Sequence, residues 1–206
     1  GITREQDHDT LVELLSGLSS VQMTQQIADD PEWIYLFQHA LTHEVAYESL
    51  PFARRQILHT AIADWFERQH VDNLKPFYAA LAYHYGHATK HEKGLKYALA
   101  AANAARDIFA NKEAVEFYTL AERHLVALGV DELWETAVDL YLSRGDVLRY
   151  LGDFILGIND GEKAAQVADS HHDITGIAKA YNLIADLKIR LPRFEEAQNV
   201  AEQVIG

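Results

Sequence analysis

The stretch YLSRGDVLRYLGDFILG, residues 141–157, recurs in degenerate form as YNLIADLKIRLPRFEEA, residues 181–197, at a constant offset of 40 residues. Each copy starts on a tyrosine, carries a small residue four positions later, and resumes with a phenylalanine and a second small residue after a Gly or Pro break. Small residues at matched positions allow two antiparallel helices to approach closely. The two copies therefore predict stacked helical hairpins.

Weaker copies of the same pattern lie upstream. Their aromatic, apolar and small positions are Tyr78, Leu81, Ala82, Tyr85, Gly94, Ala98 and Ala101, and then Ala114, Tyr118 and Ala121. This arrangement resembles the tetratricopeptide (TPR) pattern, although the period of 40 is longer than that of the family and the spacing is uneven. It predicts helices at about 75–89, 92–109, 112–128, 131–151, 154–170, 174–190 and 193–205. An ordinary helical bundle remains the alternative.

The first 72 residues have a different texture. Leucines at 11, 14, 15 and 18 predict an amphipathic helix, and two β-branched and aromatic runs, 21–27 and 33–37, flank turn-forming residues 29–32. Helices are expected at about 38–49 and 52–70, so this part resembles a winged-helix unit with a short β-hairpin. The predicted fold is mainly all-α: residues 1–72 form the winged-helix-like unit, and residues 73–206 form an α-α superhelix of TPR-like hairpins.

Composition narrows the classes of function. The 206 residues carry a net charge of −13, which disfavours direct nucleic-acid binding, and they include no cysteine. No apolar run is long enough for a membrane helix, and no signal peptide is recognisable, so a cytoplasmic protein is expected. Because the chain opens without Met and ends inside a helical pattern, we expect it to be a piece of a longer protein.

Catalytic motifs are missing from the sequence. It has no Gly-x-x-x-x-Gly-Lys-Ser/Thr phosphate loop and no Gly-x-Ser-x-Gly elbow. His39 and His43 have zinc-peptidase spacing, but Ala40 stands where that motif needs a Glu. The sequence therefore predicts a non-enzymatic chain with no catalytic residues and no cofactor of its own.

Histidines offer one alternative. His84, His87 and His91 lie at i, i+3 and i+7, so an uninterrupted helix would align them, with Glu92 as a fourth ligand. A turn expected at 88–90 argues against this alignment. The main prediction is therefore that the chain has no metal site. A metal-binding helical domain built on His84 and His87 is kept as the alternative.

The segment YLFQHALTHEVAYESL, residues 35–50, followed by Arg54, Arg55, Leu58 and His59, resembles a stretch of the bacterial STAND ATPases of the AAA+ superfamily. In that family a winged helix closes the ATPase module, a TPR array follows it, and the module is fused to adenylate/guanylate cyclase or kinase domains. By this resemblance, the chain is a regulatory, protein-interacting TPR sensor region that takes part in signal transduction. The ATP/ADP site and the catalytic motifs would lie elsewhere in the parent protein.

The resemblance also suggests individual roles. His39 would contact the phosphates of ADP in the longer protein, whereas Arg55 and its neighbour Arg54 are expected to pair with the backbone or with nearby carboxylates. Tyr78, Tyr85 and Tyr181 are candidate binding aromatics of the repeats. The implied partners are the upstream ATPase domain and an unknown protein or peptide effector, with a homodimer through helix 193–205 as a further possibility. A STAND-type transcriptional regulator is the alternative parent, although helix 38–49 carries Glu44 and Glu48 and no Lys or Arg for DNA.

Overall fold

In the computed structural model, the backbone is described for residues 2–28 and 34–205, and the side chains for 10–28 and 35–192. The described residues are mainly helical and include one two-stranded antiparallel sheet. The elements are α1 (Ile2–Ser20), β1 (Thr24–Ala28), β2 (Ile34–Phe37), α2 (Ala40–Glu48), α3 (Phe52–Gln69), a 3-10 turn (Lys75–Phe77), α4 (Tyr78–Gly86), α5 (His91–Asp107), α6 (Asn111–Leu128), α7 (Trp134–Leu151), α8 (Phe154–Ser170) and α9 (Ile174–Ile205).

The chain divides into two compact units, Gly1–Arg55 and Gln56–Gly206. The sequence places the boundary at 72/73 instead, so the two divisions differ over residues 56–72, which belong to the larger compact unit. Whether residues 1–72 act as one functional domain stays a prediction.

The first unit contains the predicted hairpin. Its strands pair Thr24 with Phe37 and Gln26 with Tyr35, and the register shifts between Gln26 and Ala28. The turn predicted at 29–32, together with Trp33, lies outside the described residues. Of the described side chains in this unit, Thr24 alone is buried, whereas leucines of α1 and apolar residues of β2 and α2 are exposed. The hairpin and helices are present, and a winged-helix arrangement remains a prediction.

In the second unit, from α4 to α9, each helix packs on the next along the chain. Short loops and the pairing of Arg144 with Asp160 show that α7 and α8 run antiparallel. At their closest approach, a Cβ at Gly145 would lie 3.3 Å from the carbonyl oxygen of Gly157, and a Cβ at Gly157 would lie 3.2 Å from that of Gly145. The close approach expected from these small residues is therefore present.

Alanines fill much of the core of α4, α5 and α6. Buried positions include Ala82, Ala98, Ala101, Ala102, Ala105, Ala114 and Ala121, joined by the large side chains of Leu81, Tyr85, Tyr97, Tyr118 and Leu125. Alanine favours the helix and occupies little volume, so helices can approach closely while the aromatic rings fill the remaining space. Most of the predicted helix limits here are correct to within a few residues.

The predicted break at Pro192 is wrong, because α9 continues through it from Ile174 to Ile205. The prediction equated Pro192 with Gly152, which ends α7 in the left-handed conformation at φ +81°. Proline cannot adopt that conformation, since its ring holds φ near −65°, a helical value. Pro192 therefore cannot form the same turn and is accommodated inside the helix.

Candidate functional site

Two grooves lie along the alternate helices α5, α7 and α9 of the second unit. The α5–α7 groove, of about 240 Å³, is lined by Leu99, Asn103, Tyr118, Thr136, Asp139, Leu140 and Ser143. The α7–α9 groove, of about 330 Å³, is lined by Leu142, Asp146, Arg149, Lys179, Asn182, Leu183 and Asp186. Because α7 contributes to both, the two grooves are neighbours.

The α5–α7 groove is lined by both polar and apolar side chains. The Tyr118 hydroxyl donates to Asn103 Oδ1 at 2.6 Å and accepts from Arg106 at 3.3 Å. Burial raises the pKa of Tyr118, so this hydroxyl stays protonated at neutral pH. Asp139 is exposed and makes no hydrogen bond or ion pair within the described part of the chain. The groove thus presents an uncompensated carboxylate.

The α7–α9 groove contains a chain of ion pairs. Arg149 lies 2.5 Å from Asp146 Oδ1 and 3.4 Å from Asp186 Oδ2, and Arg190 donates to Asp186 at 2.9 Å. Hydrogen bonding from Arg190, together with both guanidinium charges, lowers the pKa of Asp186. Lys179 is exposed and has no partner among the described side chains. This groove therefore presents an uncompensated ammonium group.

A buried ionic network holds the helices that form the grooves. Arg144, only 6% exposed, donates from Nε and Nη2 to the two carboxylate oxygens of Asp160 at 2.7 and 2.8 Å. Its Nη1 lies 2.7 Å from Glu122, which also binds Lys163 at 2.7 Å. Burial alone would lower the pKa of Arg144, but the two carboxylates raise it, so the guanidinium stays charged. The network connects α6, α7 and α8 and fixes the position of α7.

A second network holds α3 against α4 and α5. Lys93 donates to Asp64 at 2.9 Å and to Glu67 at 2.5 Å, and the Tyr85 hydroxyl lies 2.7 Å from Asp64 and 2.8 Å from Glu67. Tyr97 donates to the other oxygen of Glu67. Hydrogen bonds from Lys93 and Tyr85 lower the pKa of Asp64, and burial together with the two carboxylates raises the pKa of Tyr85. The polar groups of Asp64, Glu67, Tyr85, Lys93 and Tyr97 are all hydrogen-bonded, so this cluster, which we call the clasp, has a structural role.

The three candidate tyrosines occupy different environments. Tyr85 is fully buried in the clasp, and Tyr78 is half-buried with its ring 6.2 Å from that of Tyr97. Tyr181 is 62% exposed on α9. None of the three lines either groove, and the structure does not bring them together. Of the three, only Tyr181 presents most of its ring to solvent.

His39 lies between β2 and α2. It is the N-cap residue of α2 with extended backbone, its side chain makes no capping hydrogen bond, and it is exposed. Arg55 pairs with Glu48 at 3.5 Å and lies over the Tyr47 ring at 5.0 Å, so the expected carboxylate pairing of Arg55 is present.

The histidines considered for metal binding separate into two clusters. His84 Nδ1 lies 2.9 Å from His59 Nδ1, and the His87 ring stacks on His59 at 4.9 Å. His91 instead pairs with His124 between α5 and α6, with 3.1 Å between the Nδ1 atoms. Across the described residues, no group of three or more His, Cys, Asp or Glu side chains is arranged to hold a metal ion.

Sequence reasoning missed the groove residues. Asp139 and Asp146 lie seven residues apart on one face of α7, and Lys179, Asn182 and Asp186 follow i, i+3, i+7 spacing on α9. Such spacing marks a polar helix face, but most polar faces only contact solvent. What distinguishes these residues is that α7 and α9 enclose a groove, which is a tertiary property.

Comparison with protein-family models, curated proteins and solved structures gave no significant match. Within the described ranges, each helix is too short or too polar to cross a membrane.

Proposed function

We propose that this chain is a non-catalytic regulatory segment that binds proteins, namely the TPR-type sensor region of a cytoplasmic, multidomain STAND ATPase that controls a cyclase or kinase output. The observation that carries the interaction role is the pair of adjacent open grooves along α5, α7 and α9. Antiparallel helices fixed by buried ionic networks are a rigid support for such grooves, and a preformed groove reduces the entropy lost on binding.

The first unit supports the assignment of a neighbouring domain as a partner. Leu11, Leu14 and Leu18 are 51%, 62% and 38% exposed on α1, and Leu41 and Val45 are 70% and 60% exposed on α2. So many exposed apolar residues in one small unit mark a surface that another protein covers. The resemblance of residues 35–59 to STAND ATPases suggests that the covering partner is the upstream ATPase domain.

The nucleotide part of the proposal depends on His39. An exposed imidazole at the start of α2 can donate a hydrogen bond to a phosphate oxygen, and the helix N-terminus adds a favourable dipole. In the longer protein, ADP held in this way would keep the ATPase closed. An effector bound to the grooves would shift the population towards the open state.

The test compares His39→Ala with His43→Ala in the longer protein that contains the ATPase domain. His43 lies on the same helix but contacts Phe37 and Tyr47, so it is a matched control. We expect His39→Ala to weaken the affinity for ADP about tenfold, equivalent to roughly 1.4 kcal/mol, and so to lose co-purifying ADP. His43→Ala should retain it. Equal ADP retention by both variants would remove the nucleotide part, and the absence of a phosphate-binding loop upstream would remove the ATPase assignment.

A further inference from the structure

The two grooves carry opposite unpaired charges, Asp139 in the α5–α7 groove and Lys179 in the α7–α9 groove. We propose that together they bind an extended peptide segment of a partner protein, with a basic side chain in the first groove and an acidic side chain four residues away in the second. The inference rests on the proposed interaction function and specifies the chemistry of its partner.

The α5–α7 groove suits a Lys or Arg side chain. Asp139 offers a carboxylate, and the hydroxyls of Thr136 and Ser143 are further acceptors along the same wall. The half-buried Leu99 can contact the aliphatic part of a long basic side chain. The nearby cation Arg106 does not line the groove and lies 3.7 Å from Asp107, which offsets its charge.

The α7–α9 groove suits a carboxylate. Its other charges pair among themselves, because Arg149 and Arg190 are matched by Asp146 and Asp186. Arg190 does not line the groove, but its pairing with Asp186 makes the group of two arginines and two aspartates neutral, so Lys179 is the one charged lining residue without an ion-pair partner among the described side chains. The amide of Asn182, which lies one helical turn further along α9 and has no partner among the described residues, can donate a second hydrogen bond.

The spacing follows from helix α7. Its residues 136–143 line the first groove and its residues 142–149 line the second, so the groove centres lie about six residues apart along the helix. At ~1.5 Å per residue this is roughly 9 Å along the axis. The grooves also lie on opposite flanks of α7, so one helix spacing of ~9 Å separates them across the helix and their centres are roughly 13 Å apart. An extended peptide rises ~3.3 Å per residue and alternates its side chains between two faces, so side chains four positions apart lie on one face and match the two grooves.

The test selects binders from a random 12-residue peptide library displayed on phage, using the 206-residue chain as bait. We expect enrichment of peptides with one basic and one acidic residue separated by three intervening positions. Asp139→Asn should remove the enrichment of the basic residue, and Lys179→Gln that of the acidic residue. Each substitution should weaken the binding of a synthetic copy of a selected peptide about two- to fivefold, which is the range measured for exposed ion pairs. Asp169→Asn on α8 and Lys188→Gln on α9 are matched exposed controls that should change neither.

The outcomes separate the two proposals. Enriched peptides without the charge pair, or a charge pair that persists in both groove variants, would overturn the inference and leave the interaction function intact. Failure to enrich any peptide over bait-free resin would contradict the groove-based interaction function as well. Increasing the salt concentration should weaken the binding of the selected peptide to the unaltered chain more than its binding to the Asp139→Asn, Lys179→Gln double variant.

Discussion

Gly94 shows how closely α5 approaches α6. A Cβ at this position would lie 2.5 Å from the imidazole of His124, which is itself only 4% exposed. We expect Gly94→Ala to lower the free energy of unfolding by about 1–3 kcal/mol, the usual cost of inserting a methyl group into a packed core. Urea denaturation followed by circular dichroism measures the change.

Gly17 is the matched control for that substitution. It also lies in a helix, but nothing stands within 4 Å of a Cβ placed there. Gly17→Ala should therefore leave stability unchanged or raise it by up to ~1 kcal/mol through helix propensity. A Gly94→Ala protein as stable as Gly17→Ala would show that the helices do not approach as described.

Asp160 tests the buried network behind the grooves. Asp160→Asn leaves the guanidinium of Arg144 buried with only Glu122 to offset its charge, so we expect a loss of about 3 kcal/mol. The exposed pair of Arg190 with Asp186 is the comparison, and Arg190→Ala should lower stability much less, because water screens an exposed ion pair. If the two variants unfolded at the same urea concentration, the structural role of the network would be contradicted.

At the scale of elements, the loop between α5 and α6 contains local strain. Phe109 has φ +59° in a helix-ending motif in which Ala110 N–H donates to the Ala105 carbonyl at 2.9 Å. Glycine usually occupies this left-handed position. Because the Phe109 side chain is 80% exposed and loses little contact, Phe109→Gly should raise the free energy of unfolding by about 0.5–1 kcal/mol.

Ile108 provides the control in the same loop. It is 75% exposed but has φ −104°, so glycine relieves no strain there. Ile108→Gly should lower the thermal midpoint while Phe109→Gly raises it. A decrease for both variants would mean that the Phe109 side chain makes a stabilising contact.

At the scale of the whole molecule, the buried histidine pairs make stability depend on pH. Burial, reinforced by the neighbouring rings, lowers the pKa of His84 to about 4, with His59 and His87 facing it. Burial, His91 and Arg123 lower the pKa of His124 to about 4 as well. The unfolded chain therefore binds protons that the folded chain does not, and stability falls as the pH drops from about 6.5 to about 4.

The size of that decrease is at most about 3.5 kcal/mol for each histidine, at ~1.4 kcal/mol per pKa unit between 6.5 and about 4. Urea denaturation at pH 7, 6, 5 and 4.5 measures the slope. His124→Gln should flatten it, whereas substitution of the exposed His172 by Gln should leave it unchanged. A slope that is the same in both variants would place the proton uptake on other groups.

Helix positions and the hairpin could be predicted from the sequence because they depend on local patterns. The Gly145 and Gly157 spacing anticipated the approach of α7 to α8, and turn residues located most helix ends. Pro192 was misjudged because a break in a repeat was assumed to behave like Gly152, although only glycine readily adopts φ +81°. Tyr85 was chosen as an aromatic, and its burial depends on three helices meeting.

The sequence alone determined the mainly helical class, the hairpin near the start and the absence of the recognised catalytic motifs, since each is encoded by periodicity, turn residues or motif spacing. Tertiary structure decided which charges remain unpaired. Asp139 and Lys179 are ordinary polar-face residues until α5, α7 and α9 pack side by side, whereas Arg144 loses its solvent only when α8 covers it. Charge pairing depends on distances between helices, and linear spacing does not specify those distances.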